Sequence, residues 1–213
     1  MRANIKYPFL ATILALMLLA HPVFAQDASF RSVLLAYGIS LDVPSHWTVL
    51  SLDTRKNLNA AGQAGVDNAG IEGPSVRKEP LLAIVSTPSP AGAGIRVNVT
   101  SPSDDTQSDL AAATSTDLQE AGAELLKMFR QLETSGGLKI IEMQPVRIEL
   151  INNHRVLVIS YIRAGTNGPS PWQVTQYKIP VSNHLIEITL SHRQSDAIVW
   201  RPILERVKRS IKF

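Results

Sequence analysis

The chain has 213 residues, 45% of them hydrophobic, and no cysteine. The missing thiol excludes disulfides, thiolate catalysis, Cys-ligated metal centres and a lipid-bearing N-terminal cysteine. A formal charge of +3 on 21 basic and 18 acidic residues is too small to predict a nucleic-acid partner.

The first 25 residues read as a cleavable secretory signal. Arg2 and Lys6 stand without an acid, the uncharged run Phe9–Ala20 follows, and His21-Pro22 break it. Twelve such residues fall short of the roughly 20 that span a bilayer and match a signal core. Val23-Phe24-Ala25 then offers small or modest side chains, predicting cleavage between Ala25 and Gln26. Loss of Arg2 and Lys6 leaves 19 basic against 18 acidic residues. The expected product is a soluble periplasmic protein, not a lipoprotein, with secretion into the medium as the other destination. No later segment is apolar enough to span a membrane. The expected organisation is a signal over 1–25, a flexible segment over 26–32, and one domain over 33–213 with a helix and loop inserted at about 51–80.

Gly38–Val43 alternates with period two, which puts Ile39, Leu41 and Val43 on one strand face. Pro44-Ser45-His46 turns the chain into a second short strand, Trp47–Leu50. Asp53 is placed to cap a helix over Thr54–Ala64. Gly65–Pro80, poor in large apolar groups, predicts an irregular, mobile loop. Strands follow at Leu81–Ser86 and Ile95–Thr100, around a Pro/Gly turn. Asp105–Thr134 reads as one long helix, with Leu118, Ala121, Leu125, Phe129 and Leu132 on one face. Gly136-Gly137 end it.

Four strands come next. Leu138–Glu142 leads into Val146–Ile151, with Pro145 marking an edge or a bulge. Asn152-Asn153 is a tight turn into Arg155–Arg163. That strand is apolar on both alternations, which predicts a sheet covered on both sides. Trp172–Pro180 and His184–Ser191 form a last hairpin. Ser195 or Asp196 is placed to cap a helix over Ala197–Ser210, whose buried stripe is Ile203, Leu204, Val207 and Ile211. Pro202 predicts a kink or a later start. The fold class is therefore α+β, a mainly antiparallel sheet with helices on both faces.

Three stretches carry a family likeness: the opening YGISLDVPSHWTVL (Tyr37–Leu50), the long helix followed by hairpins through INNHRVLVISYI (Ile151–Ile162), and the closing WRPILERVKRSIKF (Trp200–Phe213). Together they resemble the PsbP-like superfamily over roughly residues 33–213. That group includes the extrinsic PsbP subunit of photosystem II, a Ran-binding yeast import factor and exported bacterial proteins related to DcrB. The resemblance implies an α-β-α sandwich and a binding role. It carries over no catalytic residue.

Candidate chemistry is sparse. His46, His154, His184 and His192 are too dispersed to predict a metal site, although His154 and His184 both follow Asn-containing turns. His184 and His192 would lie about 27 Å apart along a regular strand. No Gly-x-Ser-x-Gly elbow or phosphate-binding glycine loop is present. Glu142, Glu149 and Glu187 fall on strands; Glu149 and Glu187 could meet across one face, but any antiparallel sheet offers such residues, and they predict no acid/base couple. Trp47 and Trp200 read as core anchors. Trp172, after Pro169-Ser170-Pro171, is the candidate for surface recognition. Arg201, Arg206, Lys208, Arg209 and Lys212 near the last helix end suit its dipole and a solvated face; a membrane-surface role is the other reading. No catalytic residue, metal or cofactor is expected. The functional expectation is an exported, non-enzymatic binding or assembly protein of the bacterial periplasm, with a protein partner. Its cleft would lie among the 65–80 loop, the 165–171 loop and a sheet end. The alternatives are an exported hydrolase with a site of scattered residues, or a chaperone-like module sheltering apolar client segments.

Overall fold

The computed structural model describes residues 29–71, 77–165, 168 and 170–213. The expected signal and its Ala25–Gln26 junction lie outside these residues. Among the described residues no helix is long and apolar enough to cross a membrane.

A two-stranded ribbon opens the domain: β1 (Phe30–Leu34) pairs antiparallel with β2 (Ser40–Pro44). The flexible segment expected over 26–32 therefore gives way to strand at Phe30. Ala36–Gly38 form a 3-10 turn between them, and Tyr37 sits at φ 63°. Ile39, Leu41 and Val43 are fully buried, on the face their alternation assigns.

The main sheet runs β3 (Thr48–Val49), β4 (Arg77–Val85), β5 (Ala93–Ser101), β10 (His184–Arg193), β9 (Trp172–Val181) and β8 (His154–Arg163). Beyond β8 lie β6 (Ile140–Met143) and β7 (Arg147–Ile151), both antiparallel to it. Pro145 falls between them on that edge, where its missing N–H removes no ladder bond. Asn152 and Asn153, at φ 47° and 67°, make the tight turn into β8 that their tolerance of positive φ allows.

Strand β8 separates two cores, as its double alternation requires. Val156 and Val158 face a large core shared with Ile95, Val97, Ile186, Ile188, the β1–β2 ribbon and the last helix. Ile159 and Tyr161 face a smaller one under Phe129. The last helix, α4 (Ala197–Ser210), and the ribbon together cover the first face. Leu204, Val207 and Ile211 form its buried stripe, and Asp42 N donates to Ser210 Oγ at 2.8 Å. Pro202 lies inside α4 without ending it. Neither Ser195 nor Asp196 caps it through a side chain. A 3-10 turn at Gln194–Asp196 leads into it instead, and such a turn satisfies backbone donors without a cap.

Three helical expectations are corrected. Helix α1 runs Leu52–Asn68, and its cap is Ser51, whose Oγ accepts from Thr54 N at 3.2 Å. Asp53 lies in the first turn, where its charge suits the dipole. The 65–80 loop is therefore shorter than expected. Gly65–Asn68 complete α1, Gly70 at φ 64° ends it, and Arg77–Pro80 begin β4. Finally, the single helix over 105–134 is two: α2 (Gln107–Ala112) and α3 (Ser115–Thr134). Each starts with a Thr-x-x-Asp capping box. Thr114 Oγ1 accepts from Asp117 N at 3.2 Å, and Asp117 Oδ2 accepts from Thr114 N at 2.7 Å. Reciprocal caps make a fresh start as favourable as continuation.

Candidate functional site

Glu149 and Glu187 are committed to cations, on opposite faces of the sheet, while Glu142 is exposed and accepts from Gln144 Nε2. Glu149 stands opposite Val156 in register, on the α4 side, where Lys208 Nζ reaches it at 2.5 Å and Arg147 Nη2 at 2.8 Å. Glu187 stands opposite Asn98 and Lys178, on the α3 side, paired with Lys78 and, at 3.3 Å, with Lys178. Glu149 and Glu187 therefore do not share a face: the period-two alternation points them apart. Burial alone would raise both pKa values. In Glu149 the Lys208 and Arg147 partners outweigh it, and in Glu187 the two lysines do; both stay below the ordinary carboxylate value. A carboxylate held ionised this way is a counter-ion and a poor proton donor.

Beneath the first turns of α4 lies a polar cleft of about 210 Å³. Its floor is Gln173, Thr175, Tyr177 and His192, and Arg201 and Glu205 stand one turn apart at its mouth. His192 is buried, and its Nδ1 lies 2.9 Å from the Arg193 carbonyl oxygen. Donating from Nδ1 leaves Nε2 as an acceptor. Burial, and then the Arg201 charge, push its pKa below the usual value, against the pull of that carbonyl. Burial also raises the Tyr177 pKa, with Glu205 and Glu149 adding to it. The cleft thus holds one neutral imidazole and one protonated phenol.

A larger recess, about 440 Å³, is an apolar groove between α3 and the β6–β7 edge. Leu118, Ala123 and Leu126 form one wall and Met143, Pro145 and Val146 the other. At Gly122 a Cβ would make only ordinary contact with Val146 Cγ2, at 3.5 Å, so the two walls approach closely there. This groove escapes the sequence reading, which assigns α3 only its core stripe. Its trace in the sequence is Ala121-Gly122-Ala123, a run of small residues, and a proline-interrupted strand.

The histidines remain apart. His46 is exposed. His154 packs edge-on against Phe213 at 5.1 Å and His184 against Tyr37 at 4.7 Å, so the two that follow Asn-containing turns have separate aromatic partners. Among the described residues no three His, Asp or Glu side chains gather as a metal-ligand set. Trp172 is half-buried at the margin of the α3 core, with the Arg163 guanidinium 5.3 Å above its ring. Two of the cations in the last helix have structural partners. Lys208 holds Glu149, and Arg206 lies 4.0 Å over the Phe30 ring.

A scan of protein-family models finds no match, and a search of curated proteins finds none either. Among solved structures the chain is similar to cyanobacterial PsbP (CyanoP) from Synechocystis sp. PCC 6803. That likeness has 15% identity over 90% of this chain and 95% of that one, with a TM-score of 0.51. LpqN of Mycobacterium tuberculosis, described as involved in cell envelope biogenesis, aligns at 12% identity over 86% of this chain and 90% of its own, with a TM-score of 0.46. The likeness to CyanoP establishes the fold: the chain is built as a PsbP-like α+β domain.

Proposed function

We propose that the protein is an exported, non-enzymatic binding or assembly protein of the bacterial periplasm. The observation that carries this reading is the commitment of Glu149 and Glu187 to lysine and arginine partners on opposite sheet faces. These two strand carboxylates serve as internal counter-ions, while the groove between α3 and the β6–β7 edge offers apolar contact. An open apolar groove suits a partner's side chains better than a hydrolytic reaction, which needs convergent polar groups. For that reason the second reading is a chaperone-like module that shelters apolar client segments, ahead of an exported hydrolase.

The experiment is affinity capture from periplasm with the chain starting at Gln26, in parallel with an Ala123→Glu variant. A partner enriched by the parent and lost by the variant supports the reading. No enriched partner, together with turnover in a hydrolase screen, overturns it. Intact mass of the exported protein tests export separately, because a chain retaining Met1–Ala25 contradicts the cleaved signal.

A further inference from the structure

The polar cleft beneath α4 gathers its lining on the sheet face away from α3. Gln173, Thr175 and Tyr177 alternate along β9, while His192 and Leu190 of β10 stand opposite Gln173 and Thr175. Period-two alternation puts all five on one face. From α4 come Arg201, Leu204 and Glu205. The floor is buried, Tyr177 and His192 each being 4% exposed, whereas Arg201 and Glu205 are exposed at the mouth. The volume of about 210 Å³ lies below the roughly 300–1,000 Å³ of sites for drug-sized ligands. At ~30 Å³ for each water-sized group it suits a ligand of about seven heavy atoms.

The floor keeps hydrogen-bonding capacity in hand. Gln173 Nε2 donates to the Tyr161 carbonyl at 3.3 Å, which leaves its carboxamide oxygen to accept. Thr175 Oγ1 accepts from Ser160 Oγ at 3.2 Å and retains its own proton to give. Among the described residues neither the Tyr177 phenol oxygen nor His192 Nε2 has a hydrogen-bond partner, and a buried polar atom left that way is costly. The mouth carries one charge of each sign. Nearby ions are already spent, Lys208 on Glu149 and Arg193 on Asp196 at 3.9 Å. Among the described residues Arg201 and Glu205 pair neither with each other nor with any other group. Arg four residues ahead of Glu is the weaker order for a helical pair, and their Cβ atoms lie on the order of 5–6 Å apart. The Arg201 charge is felt at His192 and the Glu205 charge at Tyr177, so the two stand over different parts of the floor.

A lone anion here would face Glu205, and a lone cation would face Arg201. A ligand bearing both charges satisfies each, and its competitors leave one unpaired. We infer that the cleft binds a small zwitterion, a free α-amino acid with a short polar side chain. Its carboxylate meets the Arg201 guanidinium, whose planar fork suits that group. Its ammonium meets Glu205, and its side chain reaches the Thr175, Tyr177 and His192 floor. Serine has the size and the hydroxyl for this. The cleft lies across the sheet from α3, so the site is independent of the apolar groove and of the partner that groove would take.

The probe is L-serine, titrated into the 15N-labelled chain starting at Gln26. Saturable amide shifts are expected over residues 173–177 and 190–192, with thermal stability rising as ligand is added. Ethanolamine lacks the carboxylate, L-lactate lacks the ammonium and glycerol lacks both; each should bind at least tenfold more weakly. Arg201→Gln should weaken L-serine at least tenfold and erase its preference over ethanolamine. Glu205→Gln should weaken it as much and erase its preference over L-lactate. Both residues are exposed, so neither change threatens the fold. Tyr177→Phe keeps the ring and should weaken binding through the lost phenol alone. Arg130→Gln, the same charge loss on exposed α3 across the sheet, should leave binding unchanged. The site is overturned by any of three results: no saturation with L-serine, L-alanine or L-threonine; ethanolamine, L-lactate or glycerol binding as tightly as L-serine; or equal binding by the parent and the Arg201 and Glu205 variants.

Discussion

Trp47 and Trp200 meet edge to face, with ring centroids 5.7 Å apart and planes at 78°. One follows the β2 turn and the other opens α4, so this pair joins the first and last elements of the large core. Gly92 lies against it, and a Cβ there would come 2.7 Å from Trp200 Nε1.

Replacing Trp47, which is 3% exposed, with Ala should cost about 3–5 kcal/mol. Gly92→Ala should destabilise for a different reason, since the Trp200 ring must move off its partner. Urea unfolding of both variants checks this. A Gly92→Ala protein as stable as the parent would show that the Trp200 ring relocates freely.

Glu187 pins β10 to β4 and β9 through Lys78 and Lys178. Glu187→Gln should cost about 2 kcal/mol at neutral pH, because a mostly buried charged partner is lost. The folded pKa lies below the unfolded value, so this stabilisation is present above about pH 4.3 and is lost as the pH falls through the lower folded value. Denaturation curves of parent and variant should therefore converge in acid.

His192 gives a second pH dependence in a different window. Its folded pKa is depressed. Below about 6.5 the unfolded chain takes up a proton that the folded chain still refuses. Stability should decline as the pH drops from there to the folded value and level off beneath it. His192→Gln should remove this slope, read as the difference in unfolding free energy between pH 7 and pH 5.

Thr114→Ala removes the cap at the break between α2 and α3. It should cost about 1 kcal/mol and fray the first turn of α3, which amide exchange would report over residues 115–118.

What the sequence made legible follows from how each signal arises. Alternation in Ile39, Leu41 and Val43 and the double apolar pattern of β8 are direct records of burial, and both faces came out as read. The α2–α3 break was missed because the apolar stripe of α3 was projected backward past Thr114, although Thr114 and Asp117 spell a capping box. The α1 boundary was missed because alanines and glycines carry no periodicity to mark where the helix begins, and the cap fell to Ser51 rather than Asp53. The apolar groove could not be read, since it joins residues distant in the chain. Trp172 alone drew attention from its flanking prolines. Its partner Arg163 lay at the end of a strand already explained by its hydrophobic residues.

The antiparallel bridge between Ser40 and Lys212 bears on how the chain acquires this fold. Strand β2 contributes Leu41 and Val43, two of the most buried side chains, and Ile39 directly precedes it, yet the strand belongs to no part of the main sheet. Its edge is completed by backbone bonds with Lys212, Ser40 N donating to Lys212 O at 3.0 Å and Lys212 N to Ser40 O at 2.9 Å. A contact that spans nearly the whole domain forms late and slowly. As the ribosome releases the chain, residues 39–43 must wait for the C-terminus before their core can close.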